Sequence, residues 1–214
     1  MPFLFNNVTI IGVGLIGGSL AKVLKAKDLA RRITGAGRSN ATLDQALELG
    51  VIDRRGRGMT SAVEDADLVV LASPVGTFEQ IAREIGPHLK PGAILTDVGS
   101  VKGALIEKIE NIIPAGSHYV PAHPIAGREK SGVAESMETL FQGHKSRQQL
   151  SQPGTSPRFC LLPGPEHPRE PRQFRKAQNV IRASHAHGGH AARLDDEQQR
   201  PAVNESQSRM IAFL

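Results

Sequence analysis

Twelve residues near the start of the chain, Asn7-Val-Thr-Ile-Ile-Gly-Val-Gly-Leu-Ile-Gly-Gly18, leave little freedom in what it can fold into. The β-branched run Val8–Ile11 reads as a buried strand. Gly12-x-Gly14-x-x-Gly17 follows directly, and an apolar stretch from Leu15 to about Leu24 reads as a helix. Strand, tight turn and helix in that order form the setting in which this glycine pattern binds a dinucleotide. Gly12 permits the turn, Gly14 lets the backbone approach a pyrophosphate, and Gly17 lets helix and strand pack closely. The helix start then offers free N–H groups and a positive dipole end to the phosphates. Gly12, Gly14, Leu15, Ile16 and Gly17 are therefore candidate cofactor-binding residues. A glycine-rich turn with no ligand is the plainer alternative, and the flanking strand and helix argue against it.

Strands and helices alternate from residue 7 to about 145, the pattern of a parallel sheet covered by helices. The spacing predicts strands at 8–11, 32–37, 68–72, 93–97 and 118–122. It predicts helices over 15–27, 41–49, 78–89 and 101–112, with Asn40 capping the second and Gly50 stopping it. The expected class is α/β, with a Rossmann-type doubly wound parallel sheet. In such sheets ligands gather beyond the carboxyl ends of the strands. That edge offers Gly12–Gly17, Gly37–Ser39, Ser73-Pro74, Gly99-Ser100 and His123.

A carboxylate near the end of the second strand would accept a hydrogen bond from the adenosine ribose of NAD. This chain reads Gly35-Ala-Gly-Arg-Ser-Asn40 there and has no acid. Arg38 supplies a planar fork of donors and Ser39 one more, which suits a 2′-phosphate. The expected cofactor is NADP, with NAD acceptable if Arg38 stacks on adenine or lies in solvent.

From about Ser146 the periodicity stops. Residues 146–209 contain seven Val, Ile or Leu residues and half of the 14 prolines. The expected organisation is a dinucleotide-binding domain over 1–145, an irregular segment over 146–209, and a short apolar piece at 210–214. Net charge is +5, but residues 1–145 carry 16 basic and 15 acidic side chains, so the basic excess lies in the tail. No nucleic-acid motif accompanies it, and no nucleic acid is expected as partner. One cysteine, Cys160, excludes an internal disulfide. The first residues show no charged, apolar leader, and no long apolar run suggests a membrane span. A cytoplasmic location is expected. His185, His187 and His190 lie among Gly and Ala, a poor frame for a metal, and no metal site is expected.

Five blocks carry a family likeness: Ile11-Gly-Val-Gly-Leu-Ile-Gly-Gly-Ser19, Ala46-Leu-Glu-Leu-Gly-Val-Ile-Asp53, Ala72-Ser-Pro-Val75, Thr96-Asp-Val-Gly-Ser-Val-Lys-Gly103 and Ala122-His-Pro-Ile-Ala-Gly-Arg-Glu-Lys-Ser-Gly132. Residues 7–145 resemble the prephenate/arogenate dehydrogenases of tyrosine biosynthesis, the TyrA family. The resemblance implies oxidative decarboxylation of a cyclohexadienol carrying a ring carboxylate, prephenate or arogenate, with hydride transfer to NAD(P)+. It implies that His123 accepts the proton of the 4-hydroxyl, a role that suits an imidazole at neutral pH. It gives Ser100 to the same hydroxyl, and places Ser73 and Pro74 against the nicotinamide ribose. Lys102 stands where a cation favours the substrate carboxylates, although a solvated lysine is as good a reading. His88, His118 and His144 are read as structural.

The resemblance also implies a helical dimerisation domain opening on a Ser-His-Leu-Pro-His segment, with an arginine and a histidine for the substrate carboxylates. Here Glu205-Ser-Gln-Ser-Arg209 stands in place of that segment, just before Met210-Ile-Ala-Phe213, which fits the pattern again, as does Leu194-Asp-Asp-Glu197. A shifted coding frame across roughly 146–209 accounts for both the loss and the surviving scraps. On that reading this chain is a poor catalyst, and the homodimer of the family lacks its helices. The competing readings are another Rossmann oxidoreductase, such as a β-hydroxyacid dehydrogenase, and a non-catalytic nucleotide-binding protein.

Overall fold

The computed structural model describes residues 3–101, 103–142, 146–150 and 158–162. Eight strands form one sheet: β1 (Phe5–Ile11), β2 (Ala30–Ala36), β3 (Arg54–Arg55), β4 (Leu68–Leu71), β5 (Ile94–Asp97), β6 (His118–Pro124), β7 (Ser146–Leu150) and β8 (Arg158–Leu162). Their order is β3-β2-β1-β4-β5-β6-β7-β8. The first six are parallel, and β7 and β8 continue antiparallel. The helices are α1 (Leu15–Ala26), α2 (Asn40–Glu48), α3 (Met59–Val63), α4 (Phe78–Ile85) and α5 (Gly103–Glu110).

Alternation along the strands sorts the core into two halves. Val8, Ile10, Ile33, Val70 and Ile94 face α1 and α2, packing with Leu20, Leu24, Leu43 and Ala46. Ile11, Val69, Leu71 and Leu95 face the other way, onto Phe78, Ile81 and Ile85 of α4 and Ile106 and Ile109 of α5. Both faces of the central strands are thus covered, so β4 (Leu-Val-Val-Leu) is buried at every residue. In α4 the buried positions Phe78, Ile81, Ala82 and Ile85 follow the i, i+3, i+4, i+7 stripe of a helix with one apolar face. Each large side chain of this kind contributes about 1.5–3 kcal/mol on burial.

The expected doubly wound sheet is present, and several boundaries differ for local reasons. Ser39, not Asn40, caps α2: its hydroxyl accepts from the Thr42 N–H at 3.2 Å, while Asn40 Oδ1 accepts from Arg55 at 3.0 Å. The helix expected over 78–89 ends at Ile85, because Pro87 lies in a tighter turn over Gly86–His88. The two residues of β3 and the single turn of α3 are too short to show a period, and the sequence gives no sign of them. His118–Pro124 runs two residues past its expected end because β7 pairs with Ala122, His123 and Pro124.

Ten residues correct the irregular reading of 146–209. Ser146–Leu150 and Arg158–Leu162 are strands, so the sheet runs past residue 145. Edge pairing is a matter of backbone N–H and C=O groups, and it needs no apolar alternation. Residues 151–157 and 163–214, with His185, His187, His190 and the 210–214 piece, lie outside the described residues, as do Lys102 and His144.

At the amino edge of the sheet, Asp67 ties β1 to the loop before β5. Its carboxylate accepts from the N–H groups of Asn6 and Asn7 at 2.7 and 2.8 Å and from Lys90 Nζ at 2.6 Å. Partial burial pushes its pKa up, but the Lys90 ammonium and the two backbone donors outweigh that and hold it below the usual carboxylate range. Stability from this group is fully present above the unfolded carboxyl value and is lost as pH falls through the lowered folded value. Asp67→Asn is expected to cost about 1–2 kcal/mol at pH 7, after allowance for solvent screening, and to flatten the decline in stability below about pH 4. Urea midpoints of both proteins from pH 7 to pH 2.5 check this, and parallel curves would contradict it.

Candidate active site

The sheet order reverses between β1 and β4, the place where an open α/β sheet splits apart and admits a ligand. The turn after β1 is built by its glycines. Gly12 has φ +99°, and a Cβ there would come within 2.6 Å of Ala72 C and Ser73 N. A Cβ on Gly17 would stand 2.3 Å from the Gly12 carbonyl oxygen. At Gly14 the space is open for 4 Å. The first backbone donor tied into α1 is the Gly18 N–H, which bonds the Gly14 carbonyl at 2.8 Å. The N–H groups of Leu15, Ile16 and Gly17 thus have no helical partner and remain for a ligand. An open glycine facing three free donors at a helix start fits a pyrophosphate.

A cleft of about 670 Å³ lies over this turn. Gly12 and Gly14 line it, with Arg38 and Ser39 after β2, and Ser73, Pro74 and Thr77 after β4. Leu15, Ile16 and Gly17 do not line it, and Leu15 is buried, so any part they take is through backbone N–H groups. The cleft also takes in Met59, Gln80 and Glu84, which were not expected. Their one signal is spacing: Thr77, Gln80, Ile81 and Glu84 recur at helical intervals on α4 and the turn before it.

Hydrogen bonds set the hydroxyls of the cleft. Thr77 Oγ1 donates to the Pro74 carbonyl at 2.7 Å, and it lies 2.9 Å from Ser73 Oγ. A hydroxyl has one hydrogen, so Ser73 is the donor of that pair and keeps its lone pairs for a ligand. Ser39 Oγ accepts from the Thr42 N–H and from Thr42 Oγ1 at 3.1 Å. Its own hydrogen is left to donate. Arg38 is exposed at the cleft mouth.

Farther along the same edge come Ser100 and His123. The register aligns Ile11, Leu71, Asp97 and Pro121 across β1, β4, β5 and β6. Ser73 and Gly99 lie in the loops two residues past that line, while His123, also two residues past it, is still within β6. Ser100 lies in the loop after β5, the strand that pairs with β6, which carries His123. Neither residue lines the 670 Å³ cleft, which sits over β2, β1 and β4. His123 is half-buried and pairs with Arg147 of β7, and Ser100 is exposed. The turn carrying Ser100 is fastened by Asp97, which is fully buried. Asp97 accepts from the Gly99 N–H and from the Tyr119 hydroxyl, each at 2.7 Å. Burial, and then the charge of Asp97, push the Tyr119 hydroxyl far above its ordinary range, so it stays a donor.

Among the described residues no cluster of three or more His, Cys, Asp or Glu could hold a metal. Among them also, no helix is long and apolar enough to cross a membrane.

Comparison with known proteins gives one answer. The model of the prephenate dehydrogenase nucleotide-binding domain matches residues 20–146, more than half of the chain. Prephenate dehydrogenase of Bacillus subtilis is 30% identical over 200 residues, 86% of this chain and 54% of that protein. Cyclohexadienyl dehydrogenase of Zymomonas mobilis is 36% identical over 141 residues, 65% of this chain and 47% of that protein. Among solved structures, prephenate dehydrogenase of Aquifex aeolicus with hydroxyphenyl propionate and NAD+ superposes with a TM-score of 0.63 at 33% identity, covering 84% of this chain and 57% of that one. Synechocystis arogenate dehydrogenase superposes with a TM-score of 0.60 at 26% identity, covering 83% and 56%. The chain thus spans about half the length of these relatives. The glycine turn, the switch-point cleft and the matching relatives converge: this chain belongs to the prephenate dehydrogenase family, through its nucleotide-binding domain.

Proposed function

We propose that this chain carries the cofactor half of an NAD(P)-dependent prephenate or arogenate dehydrogenase, an oxidoreductase of tyrosine biosynthesis. The observation that supports this most is a dinucleotide-sized cleft at the switch point, on the same carboxyl edge of the sheet as Ser100 and His123. The bound nicotinamide supplies a hydride acceptor for C4 of the substrate ring. His123 takes the proton of the 4-hydroxyl, and Ser100, in the loop after the neighbouring strand, orients that hydroxyl. The leaving carbon dioxide carries off the ring carboxylate, and the ring becomes aromatic. Gly12 and Gly14, with the N–H groups of Leu15, Ile16 and Gly17, hold the pyrophosphate. Ser73 accepts from a ribose hydroxyl, and Pro74 packs beside it. Lys102 stays in this proposal as a cation for a substrate carboxylate. Incubating the chain with prephenate, arogenate and small β-hydroxyacids, and following NAD(P)H absorbance, tests the reading. Reduction with a β-hydroxyacid alone would overturn it.

The finer proposal is that NADP+ is preferred. Arg38 and the unused hydrogen of Ser39 stand at the end of β2, where no carboxylate is present to repel a 2′-phosphate. Arg38→Ala is expected to weaken NADP+ about ten-fold and to leave NAD+ within about two-fold, since an exposed charged contact is worth roughly 1–1.5 kcal/mol. Calorimetric titration with both dinucleotides checks it, and equal losses would contradict it.

The match to the nucleotide-binding domain ends at residue 146, beside the point where apolar periodicity stops, although the alignment to the Bacillus subtilis relative covers 86% of the chain and so runs further. We propose that a shifted coding frame begins there. The coding DNA from codon 140 onward, read in three frames, decides the matter. A second frame restoring a Ser-His-Leu-Pro-His-like segment supports the proposal, and its absence in every frame overturns it.

A further inference from the structure

The polar side chains of the cleft divide by whether they already have partners. Ser39 is bonded to Thr42, and Ser73 to Thr77. Arg38, Gln80 and Glu84 also line the cleft and have no hydrogen-bond or ion-pair partner among the described residues. Arg38 is accounted for by the phosphate or ribose end of a nucleotide. Gln80 and Glu84 are not used by anything described above.

These two residues lie one helical turn apart on α4, so they share a face. Between them Ile81 presents an apolar surface to the cleft, and Met59 adds a second apolar side chain. Glu84 is the one acidic residue among those lining the cleft. A carboxylate repels phosphate, so this end of the cleft suits the uncharged part of a dinucleotide. The cleft here offers the apolar side chains of Ile81 and Met59 beside an amide and a carboxylate. Adenine matches it: an apolar face, an exocyclic amino group that donates and a ring nitrogen that accepts.

Resting on the dinucleotide reading of the cleft, we propose that Gln80 and Glu84 recognise the adenine base by its hydrogen-bonding edge. Glu84 accepts from the exocyclic amino group, and the Gln80 amide donates to the neighbouring ring nitrogen. Ile81 and Met59 carry the ring. An ionised carboxylate can only accept. A base with a carbonyl in place of the amino group is therefore refused by Glu84, because two acceptors then face each other.

Nicotinamide hypoxanthine dinucleotide provides that base with the rest of NAD+ unchanged. The full chain is expected to bind NAD+ about ten-fold more tightly than the hypoxanthine analogue, a modest ratio because Glu84 is exposed to solvent. Glu84→Gln, whose amide both donates and accepts, is expected to reduce the ratio to about two, chiefly by improving the analogue. Glu84→Ala is expected to reach a similar ratio by weakening NAD+. Calorimetric titration of the three proteins with both dinucleotides reads these ratios directly. A wild-type ratio near one, or a ratio unchanged in both variants, overturns base recognition while NAD+ binding itself leaves the cofactor reading standing. Failure of the wild-type chain to bind either dinucleotide overturns the cofactor reading, and the base proposal with it.

Discussion

His123→Asn is expected to slow hydride transfer about a thousandfold while leaving nucleotide affinity within about two-fold, the loss typical of removing a positioned general base. The separation of the two effects follows from the sheet. His123 lies in β6, two strands away from β4, and is not among the residues lining the nucleotide cleft. Asparagine keeps a polar side chain of similar reach on the strand, but it cannot take up a proton at neutral pH. The acid limb of the pH–rate profile, which a histidine base sets as it becomes protonated, is expected to vanish in the variant. Single-turnover absorbance with prephenate or arogenate at saturating cofactor measures the rate, and titration of the cofactor measures the affinity. A variant that transfers hydride at the wild-type rate would remove His123 from the chemistry, and a variant that loses cofactor binding would make it part of the nucleotide site instead.

Gly12→Ala is expected to cost about 3–5 kcal/mol of stability, the sum of a left-handed backbone angle forced on alanine and a methyl group driven into backbone. The neighbouring atoms are Ala72 C, Ser73 N and the Ala72 carbonyl oxygen, which belong to the end of β4 and cannot swing aside as a side chain would. Domains of this kind are stable by about 5–15 kcal/mol, so much of the folded population is at risk. Gly14→Ala separates folding from binding. Gly14 has φ −98°, and nothing lies within 4 Å of an added Cβ, so its urea midpoint is expected to stay near that of the wild type. Its nucleotide affinity is expected to fall at least about ten-fold, because the methyl group occupies the approach of the pyrophosphate. Urea midpoints and cofactor titrations of the two variants give the comparison. Equal midpoints for both variants would contradict the packing argument.

The central sheet was legible because β4 is an unbroken apolar run buried at every residue, and Val8–Ile11 and β5 are buried with only Thr9, Thr96 and Asp97 among their apolar residues. The glycine turn was legible because its three glycines are demanded by backbone geometry. Ser39 and Asn40 are both good cap residues, and propensity alone could not choose between them; Arg55, distant in sequence, occupies Asn40. Gln80 and Glu84 read as solvated helix positions until α4 is seen beside the cleft. Met59 belongs to a helix of one turn, below the length at which a period can be detected. The strands at 146–150 and 158–162 were hidden for another reason, since their pairing rests on backbone groups at an edge and their side-chain pattern carries no alternation.

The proposed base stands where two kinds of pairing meet. The aligned pairs of β5 with β6 end at Asp97 and Pro121, and those of β7 with β6 cover Ala122, His123 and Pro124. In the sheet, the strand end carrying His123 thus pairs with Ser146–Gln148, past the last aligned pair with β5. Binding of the nucleotide and aim of the imidazole consequently depend on different stretches of chain. A change at residues 146–148 is therefore expected to disturb the strand that carries the base while leaving the dinucleotide cleft as it is.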